Sequence, residues 1–204
     1  MELKTGDLIL FGGKRKYKSW LSYLSSFVKY TTSSFITHVG VILKDPTFLN
    51  KALKGTYVWE SGWEGTPDPQ DGKIKLGVQI TPLEDIIKSS NELNISLLVR
   101  RINYSGDSPF NDTNLKEIHN VVYDKPYDIV PKDWIEALLR KDSYPQKIDR
   151  FWSSALVGYI YTKTGILKSD TDWSILRPSD FSLESEFLTI NNEFSFEAYE
   201  TKIN

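Results

Sequence analysis

The chain has 204 residues, of which 40% are hydrophobic, enough for one substantial core at the usual ~100–200 residues per domain. A formal net charge of -2 provides no overall positive field, which argues against nucleic acid or an anionic membrane surface as a partner. No run of about 18 apolar residues and no signal-peptide pattern occur, so we expect a cytoplasmic protein without stable membrane insertion.

Cysteine is absent from the sequence, which excludes disulfide bonds and thiolate metal sites. Only two histidines occur, His38 and His119, and they leave little with which to build a metal cluster. We therefore expect the protein to use neither a metal ion nor a cofactor.

The first half of the chain is expected to form strands. Residues 6–11 are a short apolar run closed by two glycines, which is typical of a buried strand. The alternation over residues 38–43 predicts a strand with His38 and Gly40 on one face. Further strands are expected at residues 57–61, 77–81 and 95–101, giving an antiparallel sheet of about five or six strands.

Two segments between the predicted strands have features of their own. Apolar residues between Tyr17 and Val28 follow helical spacing behind a basic run, and core packing is favoured over contact with a membrane. The segment from Gly62 to Gly72 is rich in glycine, proline and acidic residues. Because it follows the strand that carries Glu60, we expect a mobile loop that could cover a substrate.

The second half of the chain is expected to be mainly helical. Asn114 is predicted to cap one helix and Asp133 another, and a third helix is expected from Ser153 to Thr164. Two aromatic-rich runs around residues 191–192 resemble a closing hairpin. Together these elements predict a single α+β domain over residues 1–204.

Three residues could form a nucleophilic site. Ser153 is predicted at a helix start, where the helix dipole favours a thiolate and free amides can hold an oxyanion. His38 could act as a base from its strand, and Glu60 could orient the imidazole ring. Each residue also has a structural interpretation: a serine N-cap, a partly buried, hydrogen-bonded histidine, and a surface carboxylate. His119, on the polar side of a predicted helix, is expected to be a histidine of this structural kind.

Seven segments in order resemble the circularly permuted branch of the NlpC-type papain-like superfamily. This group includes the YiiX- and YebB-like proteins and the lecithin retinol acyltransferase-like enzymes. The matching segments cover residues 3–11 (LKTGDLILF), 37–42 (THVGVI), 58–61 (VWES), 77–83 (GVQITPL), 125–128 (KPYD), 151–157 (FWSSALV) and 177–181 (RPSDF).

The resemblance implies a permuted papain-like fold and assigns roles to individual residues. It implies that His38 is the base, that Glu60 orients it, and that position 153 is the nucleophile. Tyr127 resembles a family residue near the active centre, where it could line a substrate site, assist an oxyanion or merely pack. The family has cysteine at the nucleophile position, whereas this chain has Ser153.

Two explanations of Ser153 compete: a natural cysteine has been replaced in this chain, or serine is native and activity has changed or been lost. We favour the first, because the surrounding segments retain the catalytic pattern. The expected function is a thiol hydrolase of the peptidase or amidase type, inactive in the serine form. The expected partner is a peptide, isopeptide or lipid-ester substrate. The alternatives are a catalytically silent binding module and a lipid acyl hydrolase or acyltransferase.

Overall fold

A computed structural model describes residues 2–13, 34–49 and 53–204 of the chain. The helix predicted between Tyr17 and Val28 lies outside these residues. Eight strands are described: β1 Leu8–Gly12, β2 Ile36–Lys44, β3 Thr56–Gly62, β4 Gly77–Pro82, β5 Ser96–Arg100, β6 Ile102–Tyr104, β7 Phe194–Phe196 and β8 Thr201–Lys202. Four α-helices are described: α1 Leu83–Glu92, α2 Asp112–Val122, α3 Pro131–Leu139 and α4 Ser153–Lys163. Two 3₁₀ helices, Trp173–Ile175 and Pro178–Phe181, follow α4.

Six of the strands form one antiparallel sheet in the order β4-β3-β2-β1-β5-β8, which confirms the α+β class and the predicted strand number. β1 lies in the middle and pairs with β2 on one side and β5 on the other. The register between β1 and β2 shifts after the pair Phe11 and His38, so that Gly12 is opposite Ile36. This irregularity lies at the end of the sheet where β2 begins and β3 ends.

The two faces of the sheet belong to different hydrophobic clusters. Val39 and Trp59 lie on the face that packs with α4, in the larger cluster. Phe11 and Val58 lie on the opposite face, in a smaller cluster with residues of α1. Because side chains alternate along a strand, His38 and Glu60 are expected on the smaller-cluster face. The edge-to-face contact between the rings of Phe11 and His38, with centroids 4.8 Å apart, agrees with this placement.

The helix that carries position 153 is buried along most of its length, from Ser153 to Thr162. Gly158 lets it approach the first 3₁₀ helix closely, because a Cβ there would come within 2.5 Å of a Leu176 methyl group. Gly165 follows the helix with a positive φ of 77°, as expected for a residue that ends a helix. None of the described helices is both long and apolar enough to span a membrane.

Several sequence predictions about local structure were wrong. The side chain of Asn111, rather than Asn114, caps α2, and α3 begins with Pro131 without a side-chain cap. Helix α1 was not predicted. The closing hairpin around residues 191–192 does not form, because Ile190 before the turn bridges to Leu167 and β7 after it pairs with β6.

Candidate functional site

A buried histidine and a buried glutamate meet at the end of β2 and β3. His38 Nε2 lies 2.6 Å from Glu60 Oε2, and the two residues are 6% and 0% exposed. Since this contact engages Nε2, any role of His38 as a base would use Nδ1. A carboxylate that accepts a hydrogen bond from Nε2–H would hold the imidazole in the tautomer with its lone pair on Nδ1.

Gly62 makes room for the His38 ring. A Cβ at this position would lie 3.2 Å from His38 Cε1 and 3.8 Å from Glu64 Oε1. The end of β3 therefore brings a second carboxylate next to the pair. Glu64 gives no signal in the sequence, because it lies in a loop whose acidic residues have no regular spacing.

His38, Glu60 and Glu64 are the described residues that could together hold a metal ion, with one donor atom each within 4.8 Å of one another. Imidazole nitrogen and carboxylate oxygen atoms suit zinc and other divalent transition metals, at about 2.0–2.2 Å. However, His38 Nε2 and Glu60 Oε2 are at hydrogen-bonding distance. The two side chains would have to separate for both atoms to ligate a common ion.

Ser153 is the first residue of α4, and its side chain is 4% exposed. The structural interpretation of Ser153 as an N-cap is wrong, since Trp152 occupies that position and no side chain caps the helix. Among the described residues, none forms a hydrogen bond with the Ser153 hydroxyl, and this includes His38. The structure thus brings His38 and Glu60 together on the smaller-cluster face of the sheet. Ser153 begins the helix that packs on the larger-cluster face, and it is not in hydrogen-bonding contact with them.

Position 153 is nevertheless tied to the strand that carries Glu60. The Ser61 hydroxyl donates a 2.6 Å hydrogen bond to the carbonyl oxygen of Phe151, and both residues are fully buried. Phe151 precedes Ser153 by two residues. The sequence analysis did not identify this contact, because the two partners are 90 residues apart and a buried serine gives no local signal.

Tyr127 lies beside the segment that leads into α4. It forms an isolated parallel bridge with Phe151, and its half-buried ring packs against the larger hydrophobic cluster. The next residue, Asp128, donates its backbone N–H to the carbonyl oxygen of Phe151 at 3.3 Å. Burial, together with the carboxyl group of Asp133, raises the pKa of Asp128 to about 7. The bridge between the backbones of Tyr127 and Phe151 places Tyr127 close to position 153. The described contact of its ring is packing against the larger hydrophobic cluster.

The loop over residues 62–72 consists of two parts with different surroundings. Its first part, next to Gly62, borders His38. Its second part is anchored: the buried carboxylate of Asp68 accepts hydrogen bonds from Lys75 Nζ at 3.0 Å and from Ile80 N at 3.3 Å. These bonds argue against movement of the second part as a lid, so the expectation of a mobile cover is restricted to the first few residues.

His119 is a half-buried, hydrogen-bonded residue, as the sequence analysis expected. Its Nε2 lies 2.6 Å from Gln70 Oε1, and burial lowers its pKa. A cleft of about 180 Å³ lies next to this ring, and it is lined by Phe48, Leu49, Gln70, Lys116, His119, Asn120 and Tyr123. These residues contribute nothing to the pair formed by His38 and Glu60.

No protein-family model matches the chain. A search of curated proteins finds no significant match either.

Proposed function

We propose that the chain has a permuted papain-like fold and the active-site scaffold of a thiol hydrolase that forms an acyl-enzyme at position 153. The buried contact between His38 Nε2 and Glu60 Oε2 is the observation that best supports this proposal. A carboxylate that holds the proton on Nε2 leaves the lone pair on Nδ1, which is the nitrogen that has to accept a proton if His38 is a base. The position of residue 153 at the start of α4 provides the second support.

The His38 ring and the start of α4 lie on opposite faces of the sheet, so the proposed reaction requires them to meet beyond the ends of β2 and β3. There, His38 Nδ1 accepts the proton of the nucleophile as the nucleophile attacks a carbonyl carbon. The first amides of α4 have no partners within the helix, and they are suited to stabilise the oxyanion. Collapse of the intermediate breaks the amide or ester bond, and His38 returns the proton to the leaving amine or alcohol. Water, deprotonated by the same histidine, then releases the acid from position 153.

A thiol is the better nucleophile at this position. A helix N-terminus and an imidazolium ion both favour a thiolate, whose parent thiol has a pKa of ~8.5, but neither populates an alkoxide near neutral pH. The serine form is therefore expected to have little or no activity. We propose peptide, isopeptide or other amide substrates, with lipid esters as the alternative within the same chemistry.

A second candidate function is a binding module that keeps the site without catalysis. Two observations favour it. The Ser153 hydroxyl forms no hydrogen bond with His38 or any other described residue, and His38 lies on the face of the sheet opposite α4. In an active hydrolase, nucleophile and base come within about 2.6–3.2 Å, although this contact is often looser without substrate. Under this proposal the end of β2 and β3 would recognise a ligand and leave it unchanged.

The variant Ser153→Cys separates the two functions. It contains a single thiol, because the chain has no cysteine, so alkylation by iodoacetamide reports on position 153 alone. We expect a thiol pKa well below the ~8.5 of a free thiol. Adding His38→Ala should remove most of the reactivity near neutral pH. Turnover should then be measured on isopeptide, peptidoglycan-peptide and lipid-ester substrates.

An ordinary thiol pKa that is insensitive to His38→Ala would contradict the hydrolase proposal and favour the binding module. The serine form serves as the control, because it should not react with iodoacetamide at any pH used.

A further inference from the structure

Two consecutive residues of β3 connect the two parts of the proposed site. Glu60 contacts the imidazole of His38, and the next residue, Ser61, donates to the carbonyl of Phe151 at 2.6 Å. Since side chains alternate along a strand, the two contacts lie on opposite faces of the sheet. One strand thus holds both the base and the chain segment that leads to the nucleophile position.

The Phe151 carbonyl is one point at which the chain before α4 is held, while within the helix the buried Ser154 hydroxyl donates to the carbonyl of Leu176 at 2.7 Å. The Phe151 carbonyl accepts the Ser61 hydroxyl at 2.6 Å and the backbone N–H of Asp128 at 3.3 Å. The N–H of Phe151 in turn donates to the carbonyl of Pro126 at 3.1 Å. Trp152 alone separates Phe151 from Ser153, and no side chain caps the helix at this end. The shorter of the two bonds to the carbonyl, and the one that comes from the sheet, belongs to Ser61.

We propose that Ser61 is a positioning residue that sets the place of the nucleophile relative to His38. This inference rests on the proposed function. Without the hydroxyl, the Phe151 carbonyl would keep only its longer bond to Asp128, and the start of α4 would no longer be tied to β3 by a side chain. Charge interactions depend on distance, so a displaced nucleophile would be less strongly stabilised as a thiolate by His38.

The test measures the pH dependence of alkylation in the Ser153→Cys protein with and without Ser61→Ala. We expect Ser61→Ala to raise the thiol pKa toward ~8.5, so that the alkylation rate near pH 6 falls by about tenfold. At a pH high enough to ionise the thiol fully, the rate should be unchanged, because the thiolate itself is still present. Ser61→Thr retains a hydroxyl and should keep the parent profile.

Tyr161→Phe is the matched control. The Tyr161 hydroxyl donates a buried hydrogen bond of the same 2.6 Å length from α4 to a backbone carbonyl, that of Gly6. Its loss should lower the melting temperature in the same way as Ser61→Ala, but leave the alkylation profile unchanged. Circular dichroism and the melting temperature establish that each variant is folded before alkylation is measured.

The outcomes distinguish this inference from the proposed function. If His38→Ala shifts the profile and Ser61→Ala does not, the positioning role is wrong and the hydrolase scaffold stands. If Tyr161→Phe shifts the profile as much as Ser61→Ala, the effect is general destabilisation and the positioning role is again overturned. If His38→Ala has no effect, the proposed function fails, and the role of Ser61 fails with it.

Discussion

The side chains of His38 and Glu60 meet at 2.6 Å in a part of the protein from which water is almost excluded. Removing one partner takes this contact away from a buried polar group, and Glu60→Ala is expected to cost about 3 kcal/mol of unfolding free energy. Glu60→Gln should cost less, because its amide oxygen can still accept from Nε2–H. Urea denaturation of both variants measures the difference.

In the Ser153→Cys background, Glu60→Ala should slow alkylation near neutral pH less than His38→Ala does. The reason is that Glu60 orients the ring, whereas His38 provides the charge next to the thiolate. Equal stability of Glu60→Ala and the parent protein would contradict the buried contact, and a larger loss of reactivity than with His38→Ala would contradict the assigned roles.

A substitution at Gly62 tests how tightly the His38 ring is held next to Glu60 without changing a charge. A Cβ at this position would lie 3.2 Å from His38 Cε1, closer than an ordinary van der Waals contact. Gly62→Ala should displace the imidazole by a few tenths of an ångström and slow alkylation of the cysteine form. The protein should remain folded, as judged from its circular dichroism spectrum. A Gly62→Ala protein with an unchanged alkylation rate would show that the ring has room to spare.

Asp128 should make the stability of the protein fall as the pH rises. Burial and the Asp133 carboxyl raise its pKa to about 7 in the folded state, whereas an unfolded aspartate ionises near pH ~3.9. Between these values the folded state retains a proton that the unfolded state has lost. The free energy of unfolding contributed by this group therefore decreases between about pH 4 and 7 and is constant on either side.

Asp128→Asn should remove this dependence. The melting temperature of the variant, relative to that of the parent protein, should therefore increase as the pH increases from 4.5 to 8. Asparagine can still accept the hydrogen bond from Val130 N, which measures 3.0 Å to Asp128 Oδ1. Asp170→Asn, at an exposed carboxylate, is the control. A melting-temperature difference that does not change with pH would contradict the raised pKa.

Lys147 contacts two carboxylates of α3 and one of the loop that follows the helix. Its Nζ lies 2.7 Å from Asp133, 3.1 Å from Glu136 and 3.3 Å from Asp142. Its hydrogen bonds to Asp133 and Glu136, together with the charge of Asp142, raise the pKa of Lys147 despite its partial burial. Lys147→Met should leave the carboxylates facing one another and cost about 1–3 kcal/mol of unfolding free energy at neutral pH.

The loss should be smaller near pH 4, where part of the carboxylate charge is neutralised. Lys168→Met changes an exposed lysine and should have little effect, so it serves as the control. Urea denaturation at both pH values provides the measurement, and an equal loss for the two variants would show that the three contacts contribute nothing specific.

The sequence predicts the sheet better than the connections between its elements. Alternation along β2 predicts that Val39 shares a face with other apolar residues, and the clusters confirm this. Alternation along β3 predicts that Glu60 faces away from Trp59, which agrees with its contact to His38, whose ring meets Phe11 of the smaller cluster. Helix α1 was missed because it is short and mostly polar, with only Leu83, Ile86 and Ser90 buried. Its buried residues follow helical spacing, so a local pattern is present, but it covers too few apolar residues to stand out in the sequence.

The candidate site is also predictable only in part, because some of its contacts form between segments that are far apart in the sequence. His38 and Glu60 are 22 residues apart on neighbouring strands, and their pairing follows from strand order. The contact between Ser61 and Phe151 requires the whole chain to be folded, and Glu64 depends on the path of a loop. Asn114 and Asp133 occupy acceptable cap positions by spacing, but the true start of each helix is set by Asn111 and by Pro131.

The pairing of β8 with β5 has a consequence for synthesis of the protein. The Asn204 side chain accepts from the backbone N–H of Leu97 at 2.8 Å, and the two residues are 107 positions apart. A nascent chain therefore exposes the outer edge of β5 long before the strand that covers it emerges from the ribosome. An uncovered edge beside buried apolar residues can pair with other chains. Expression at low temperature or with a chaperone should therefore raise the yield of monodisperse protein, most of all for chains shortened before β8.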